Sequence, residues 1–132
     1  MITKFAWPDM QAILSKLTKL MADAGHDLKV RDADALEAGV SRAIMAEDYK
    51  DDADAAAIAA LLFEGLATRH PLLDGNKRLA FTAMAAFLFL NGIRLDATEM
   101  DAYDMSMAVI KGDKSTDDLA EFIRMNSYRE EG

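Results

Sequence analysis

His70-Pro71-Leu72-Leu73-Asp74-Gly75-Asn76-Lys77-Arg78 runs directly into Leu79-Ala80-Phe81-Thr82-Ala83-Met84-Ala85-Ala86-Phe87-Leu88-Phe89-Leu90, and this stretch decides the fold. Its second half is apolar nearly all round, the pattern of a helix enclosed by other helices. Pro71 stops a preceding helix and pushes His70 out of right-handed helical geometry. Gly75-Asn76 opens the next helix, and Gly92 suits its C′ position. The reading is a central, buried helix over residues 76–91.

Working outward, Ile13, Leu17, Leu20, Met21 and Ala24 recur at helical spacing, with Pro8 in the first turn and Gly25 at the end. Asp32 caps a second helix carrying Leu36, Val40 and Ile44. Met45 to Asp52 reads as a polar connection. A third helix covers Ala53 to Arg69, with Ile58, Leu61, Leu62 and Leu66 inward. After a short extended piece at Ile93 to Leu95, Met100, Tyr103 and Met107 mark a fifth helix. Ser115 and Asp118 form a capping arrangement for a sixth, with Leu119, Phe122 and Ile123 inward. Strand signals are nearly absent. The expected fold is all-α: a compact bundle of about six helices around helix 76–91, one domain over residues 1–132.

Composition narrows the function. The chain has 132 residues, 52% of them hydrophobic, enough for one substantial core. It has no cysteine, which removes disulfides and thiolate chemistry. The net charge of −8 and a pI near 4.6 argue against direct nucleic-acid binding, which needs a basic surface. No signal peptide is expected at Met1-Ile2-Thr3-Lys4-Phe5, and Leu79 to Leu90 is too short to span a membrane. A cytoplasmic protein is expected.

The motif assembles the parts of a phosphoryl- or nucleotidyl-transfer site. A helix beginning at Gly75-Asn76 presents unpaired N–H groups at its positive end. Gly75 lets the backbone approach an anion closely. Lys77 and Arg78 add charge, and a guanidinium grips phosphate oxygens bidentately. Asp74 is placed to bind Mg²⁺ brought in with a nucleotide. His70 is the candidate general base, since an imidazole exchanges protons near neutral pH. Taken singly, each residue has a plain structural explanation: a pre-proline histidine, a turn, an N-cap, a solvated pair. Their joint occurrence at the head of the most apolar helix favours the functional reading.

The stretch resembles the signature of the Fic/Doc superfamily, H-x-F-x-(D/E)-G-N-(G/K)-R, through His70, Asp74, Gly75, Asn76, Lys77 and Arg78. Leu72 stands where phenylalanine is usual, a packing change expected to be tolerated. Val30-Arg31-Asp32, Ala35-Leu36-Glu37-Ala38 and Val40-Ser41-Arg42 are similar to the RD…LLE.A..R stretch of the Doc branch, and Phe87-Leu88-Phe89-Leu90-Asn91-Gly92 is also Doc-like. Fic AMP-transferases typically carry glycine where Lys77 stands and a second arginine where Phe81 stands, so both positions point to the Doc branch.

What this resemblance implies is a toxin of a toxin–antitoxin module. It would transfer the γ-phosphate of ATP, with Mg²⁺, to a Ser or Thr hydroxyl of elongation factor Tu and would be neutralised by a Phd-like antitoxin. In that scheme His70 is the base, Asp74 the Mg²⁺ ligand, Gly75 and Asn76 the anion hole, with the Asn76 side chain a further phosphate contact, and Lys77 and Arg78 the charge-neutralising pair. The alternatives are AMP transfer by the same site, or a non-catalytic nucleotide- or peptide-binding module.

Other signals are discounted. His26-Asp27 evokes HD-type metal hydrolases, but the chain has two histidines in all. There is no GxxxxGK(S/T) loop. Glu47-Asp48 and Asp51-Asp52 read as solvated, and the nine methionines as packing residues. Phe5 and Trp7 are expected to anchor the N-terminal segment on the bundle. Ser127-Tyr128-Arg129-Glu130-Glu131-Gly132 matches a loose self-inhibitory pattern of Fic proteins, but the arginine that such a glutamate pairs with is missing, so a frayed terminus is expected.

Overall fold

The computed structural model describes residues 4–49 and 53–130. Six helices follow in order: α1 (Met10–Asp23), α2 (Ala33–Tyr49), α3 (Ala55–Arg69), α4 (Asn76–Leu90), α5 (Glu99–Lys111) and α6 (Thr116–Met125). Two short strands, β1 (Ile93–Leu95) and β2 (Ser127–Arg129), pair antiparallel with Arg94 opposite Tyr128. The fold is the helical bundle expected from the sequence, with a two-stranded sheet added to it.

Capping sets most of the boundaries. Asp9 accepts from the Gln11 and Ala12 amides at the start of α1, Asp32 from Ala35 at α2, and Asp54 from Ala57 at α3. Pro8 therefore lies just outside α1 rather than in its first turn. Ser115 and Asp118 complete the reciprocal capping box of α6.

α3 is the most completely buried helix, because α2, α4, α5 and α6 all pack on it. α4 buries Leu79, Ala80, Ala83, Met84, Phe87 and Leu88 and leaves Phe89 and Leu90 exposed. Phe5 and Trp7 both pack on Phe87, with ring centroids 5.7 and 4.7 Å away, so they anchor the N-terminal segment as expected.

Four expectations are corrected. In α1 the buried stripe is Ile13, Leu14, Leu17 and Met21, whereas Leu20 and Ala24 are exposed. Met45 to Tyr49 is the last turn of α2, not a connection; residues 50–52 lie outside the described residues. Glu47 is not solvated: it is 3% exposed and accepts hydrogen bonds from the Lys4 amide, the Phe5 amide (2.8 Å) and the Trp7 indole (3.1 Å). Residues 127–129 are not frayed, because they form β2, flanked by bonds from the Asp96 amide to the Asn126 carbonyl (2.6 Å) and from the Glu130 amide to the Gly92 carbonyl (2.8 Å). Glu131 and Gly132 lie outside the described residues.

Candidate active site

His70 ends α3 in left-handed geometry, with φ 53° and ψ 55°. Among the described residues it is the one non-glycine with positive φ. Such a conformation costs an L-residue about 1–2 kcal/mol, so it persists only where neighbours impose it. Pro71 bars the helical alternative, as the sequence implied.

The loop from His70 to Gly75 is held at both ends. The Asn76 carboxamide accepts from the Leu72 amide (2.8 Å) and donates to the Leu72 carbonyl (2.9 Å). This closes a two-way clasp between the turn and the first residue of α4. The Asn76 side chain thus engages the loop through its oxygen and one N–H, and its backbone N–H lies at the helix head. Leu72 is 1% exposed and forms a bridge with Val30, so leucine fills the position where the motif usually has phenylalanine.

α4 starts without a side-chain cap. Gly75 is its N-cap residue, in left-handed geometry with φ 89°. A Cβ there would meet the Met21 sulfur at 3.3 Å, a tight contact that the flexible methionine can relieve, so it is the conformation that calls for glycine. The first N–H groups of α4 consequently meet no capping oxygen, and the partial positive charge of the helix end is open to an anion. The Gly75 amide itself donates to Asp74 Oδ1 at 2.8 Å.

Lys77 and Arg78 extend from the first turn of α4 into a groove of about 880 Å³ between α4, β1 and α5. The groove is largely apolar, with Phe81, Phe89 and Tyr103 on its walls and Lys16 as a further cation in its lining. Lys77 Nζ lies 4.2 Å from the centre of the Tyr103 ring, a cation–π contact that draws the amine toward the groove. Phe81 is one helical turn after Arg78 on the same wall and brings no charge.

Asp74 fits a Mg²⁺ that arrives with phosphates, because that ion is usually held by one or two carboxylates and the substrate oxygens rather than by a full protein cage. Among the described residues no group of three His, Cys, Asp or Glu side chains could hold a metal by itself. His26 and Asp27 are both exposed.

Sequence reasoning missed one participant. Arg31 donates to the His70 carbonyl from Nε (3.0 Å) and Nη2 (2.6 Å). The Arg31 and Asp32 amides both donate to the Pro71 carbonyl (2.8 and 3.0 Å), and Leu73 donates to Lys29 (3.1 Å). Five hydrogen bonds thus sew the motif loop to residues 29–32. The available signal was Val30-Arg31-Asp32, which stood out in the sequence without a role.

Comparison with known proteins agrees with this construction. The pattern described as the Fic/DOC family matches residues 7–88. The chain is 41% identical over 100 residues to "Toxin Doc" of Mycolicibacterium smegmatis (strain ATCC 700084 / mc(2)155), covering 73% of this chain and 76% of that protein. A match over more than half of the chain, joined to a motif loop that runs from His70 at the end of α3 to Gly75 at the head of α4, leads to one conclusion: this chain belongs to the Fic/DOC family.

Proposed function

We propose that this chain is a Doc-type toxin that phosphorylates a Ser or Thr hydroxyl of a translation factor, with elongation factor Tu as the expected target. The observation that carries the reading is the uncapped head of α4, flanked by two cations and by a histidine on the preceding loop. The kinase branch is favoured over AMP transfer by Lys77 and Phe81, which stand where AMP-transferases of the family carry glycine and a second arginine.

His70 takes the proton of the target hydroxyl, and the freed oxygen attacks the γ-phosphorus of ATP. The bond from that phosphorus to the β,γ-bridging oxygen breaks, ADP leaves, and the proton passes from His70 to solvent. The backbone N–H groups of Gly75 and Asn76 receive phosphate oxygens, with the Gly75 amide turning from Asp74. Lys77 and Arg78 neutralise the charge on the transferring group. Asp74 would hold Mg²⁺, which when bound supplies further neutralisation of the phosphates. The bundle holds these groups in register.

A toxin of this kind acts in the cytoplasm and needs a neutralising partner. The expected one is a Phd-like antitoxin whose disordered segment becomes helical on the toxin.

The test is intact-protein mass spectrometry of elongation factor Tu after incubation with the chain and Mg-ATP, with His70→Ala as control. A gain of one phosphate, lost in the variant, is expected. A gain of one AMP would transfer the assignment to adenylylation. No gain on any protein of a whole lysate would sink the enzyme reading.

A further inference from the structure

We propose that Arg31 is a positioning residue for the reaction: its guanidinium grips the His70 carbonyl and holds the candidate base in the left-handed conformation that presents its ring to substrate. The inference rests on the reading of His70 as the base.

His70 has an unfavourable backbone geometry with φ 53°, and the group bonded to its own carbonyl is the Arg31 side chain, through Nε and Nη2. A carbonyl that receives two charged N–H donors cannot rotate about ψ without breaking both, so the clamp fixes the direction of the peptide plane after His70. The next carbonyl, on Pro71, is fixed by the Arg31 and Asp32 amides. One residue therefore grips two successive peptide planes, the first with its side chain and the second with its backbone.

Asp32 then turns the chain into α2 by capping Ala35 at 3.1 Å. The dipeptide Arg31-Asp32 thus does two jobs in sequence: it clamps the loop, then starts the helix that packs on α3. The clasp of Asn76 on Leu72 sets the other half of the loop and does not reach His70. Without Arg31, the carbonyl of His70 faces water, and the imidazole samples orientations away from the hydroxyl it must deprotonate.

The clamp acts on the base and not on the anion hole, so it should alter turnover and spare nucleotide binding. The test is steady-state transfer to the protein substrate with Arg31→Ala, Arg31→Lys and His70→Ala, at varied ATP, with thermal melting of each variant. Arg31→Ala is expected to lower kcat by on the order of tenfold to a hundredfold, as misplaced catalytic groups do, while KM for ATP stays within about twofold. Arg31→Lys, which restores a charged donor without the fork, is expected to recover part of kcat. If Arg31→Ala does not fold, the lysine variant carries the comparison: kcat lowered at unchanged KM supports the clamp. Wild-type kcat in both Arg31 variants, or kcat and affinity for ATP falling together, would overturn it. Activity retained in His70→Ala would instead remove the underlying reading, so the two failures are distinguishable.

Discussion

Gly39 and Gly65 face each other where α2 crosses α3, so closely that a Cβ on Gly65 would lie 2.7 Å from the Gly39 carbonyl oxygen. A Cβ on Gly39 would lie 2.9 Å from the Gly65 carbonyl oxygen. Both atoms met are backbone, which cannot swing aside. Helix propensity alone favours Gly65→Ala by about 1 kcal/mol. Overpacking costs about 1–3 kcal/mol, occasionally more, and here it separates two whole helices. Gly65→Ala is therefore expected to destabilise the fold, read as a lower urea midpoint. A higher midpoint would mean that the two helices separate at little cost.

The N-terminal segment is latched by one buried carboxylate. Glu47 accepts from two backbone amides with Oε1 and from the Trp7 indole with Oε2. Glu47→Ala removes the acceptor of the half-buried Phe5 amide and Trp7 indole and is expected to cost about 2–4 kcal/mol, since each donor left without an acceptor costs about 1–3 and the half-buried ones lie toward the lower end. Glu47→Gln keeps one acceptor oxygen and should lose less. Denaturant unfolding followed by Trp7 fluorescence reads both, and equal stability of all three proteins would refute the latch.

Asn76→Asp tests the clasp. The aspartate can still accept from the Leu72 amide, but its second oxygen faces the Leu72 carbonyl, where the native amide donates at 2.9 Å. It also adds a negative charge at the head of α4. Weaker ATP binding, by about tenfold or more from like-charge repulsion at the helix head, is expected in calorimetry, together with faster hydrogen exchange over residues 71–75. Unchanged affinity would mean that no anion sits at this turn.

Acid stability should carry a signature of Asp54. Arg124 grips its carboxylate through two hydrogen bonds of 2.8 and 2.9 Å, holding the Asp54 pKa below its ordinary value of 3.8. A carboxylate whose folded pKa is depressed contributes stability above its unfolded pKa and loses it as pH falls through the folded one. The contribution is thus complete above about pH 5 and is lost progressively as pH falls below 3.8 toward the lowered folded value. Both side chains are about half exposed, so solvent screening keeps it near 1 kcal/mol or less. Asp54→Asn should flatten the acid limb of the stability profile in that window; an unchanged limb would assign acid sensitivity elsewhere.

Truncation after Asn126 distinguishes a sheet strand from a self-inhibitory tail. Removing β2 deletes the pairing with Ile93–Leu95 and exposes the edge of β1. A loss of about 1–2 kcal/mol is expected from the missing hydrogen bonds, with no rise in transfer activity. A large rise would restore the self-inhibitory interpretation of the tail.

The parts legible in the sequence were those set by neighbours along the chain. The run from Leu79 to Leu90 announced α4, Ser115 and Asp118 announced the start of α6, and Pro71 announced the break at His70. The misread parts depend on distant partners. Glu47 looks solvated because the amides that satisfy it lie more than 40 positions earlier in the chain. Ser127–Arg129 has little strand signal of its own and becomes a strand by pairing with Ile93–Leu95. Leu20 has the right spacing but is exposed, and α1 buries Leu14 and Leu17 instead. In the site, the motif was visible as a string, whereas Val30-Arg31-Asp32 stood out without naming its partner, because the grip of Arg31 on His70 spans 39 positions.

The bare head of α4 sets thermostability and chemistry against each other at a single turn. A capping side chain there would strengthen the helix by about a few tenths of a kcal/mol over glycine, and the φ of 89° at Gly75 disfavours one. Any anion that completes the helix from solution therefore becomes part of its fold, and stability rises with the concentration of that anion. Selection of this chain for heat resistance alone would favour closing the turn, and the variants that gained stability that way would no longer offer the first N–H groups of α4 to an anion.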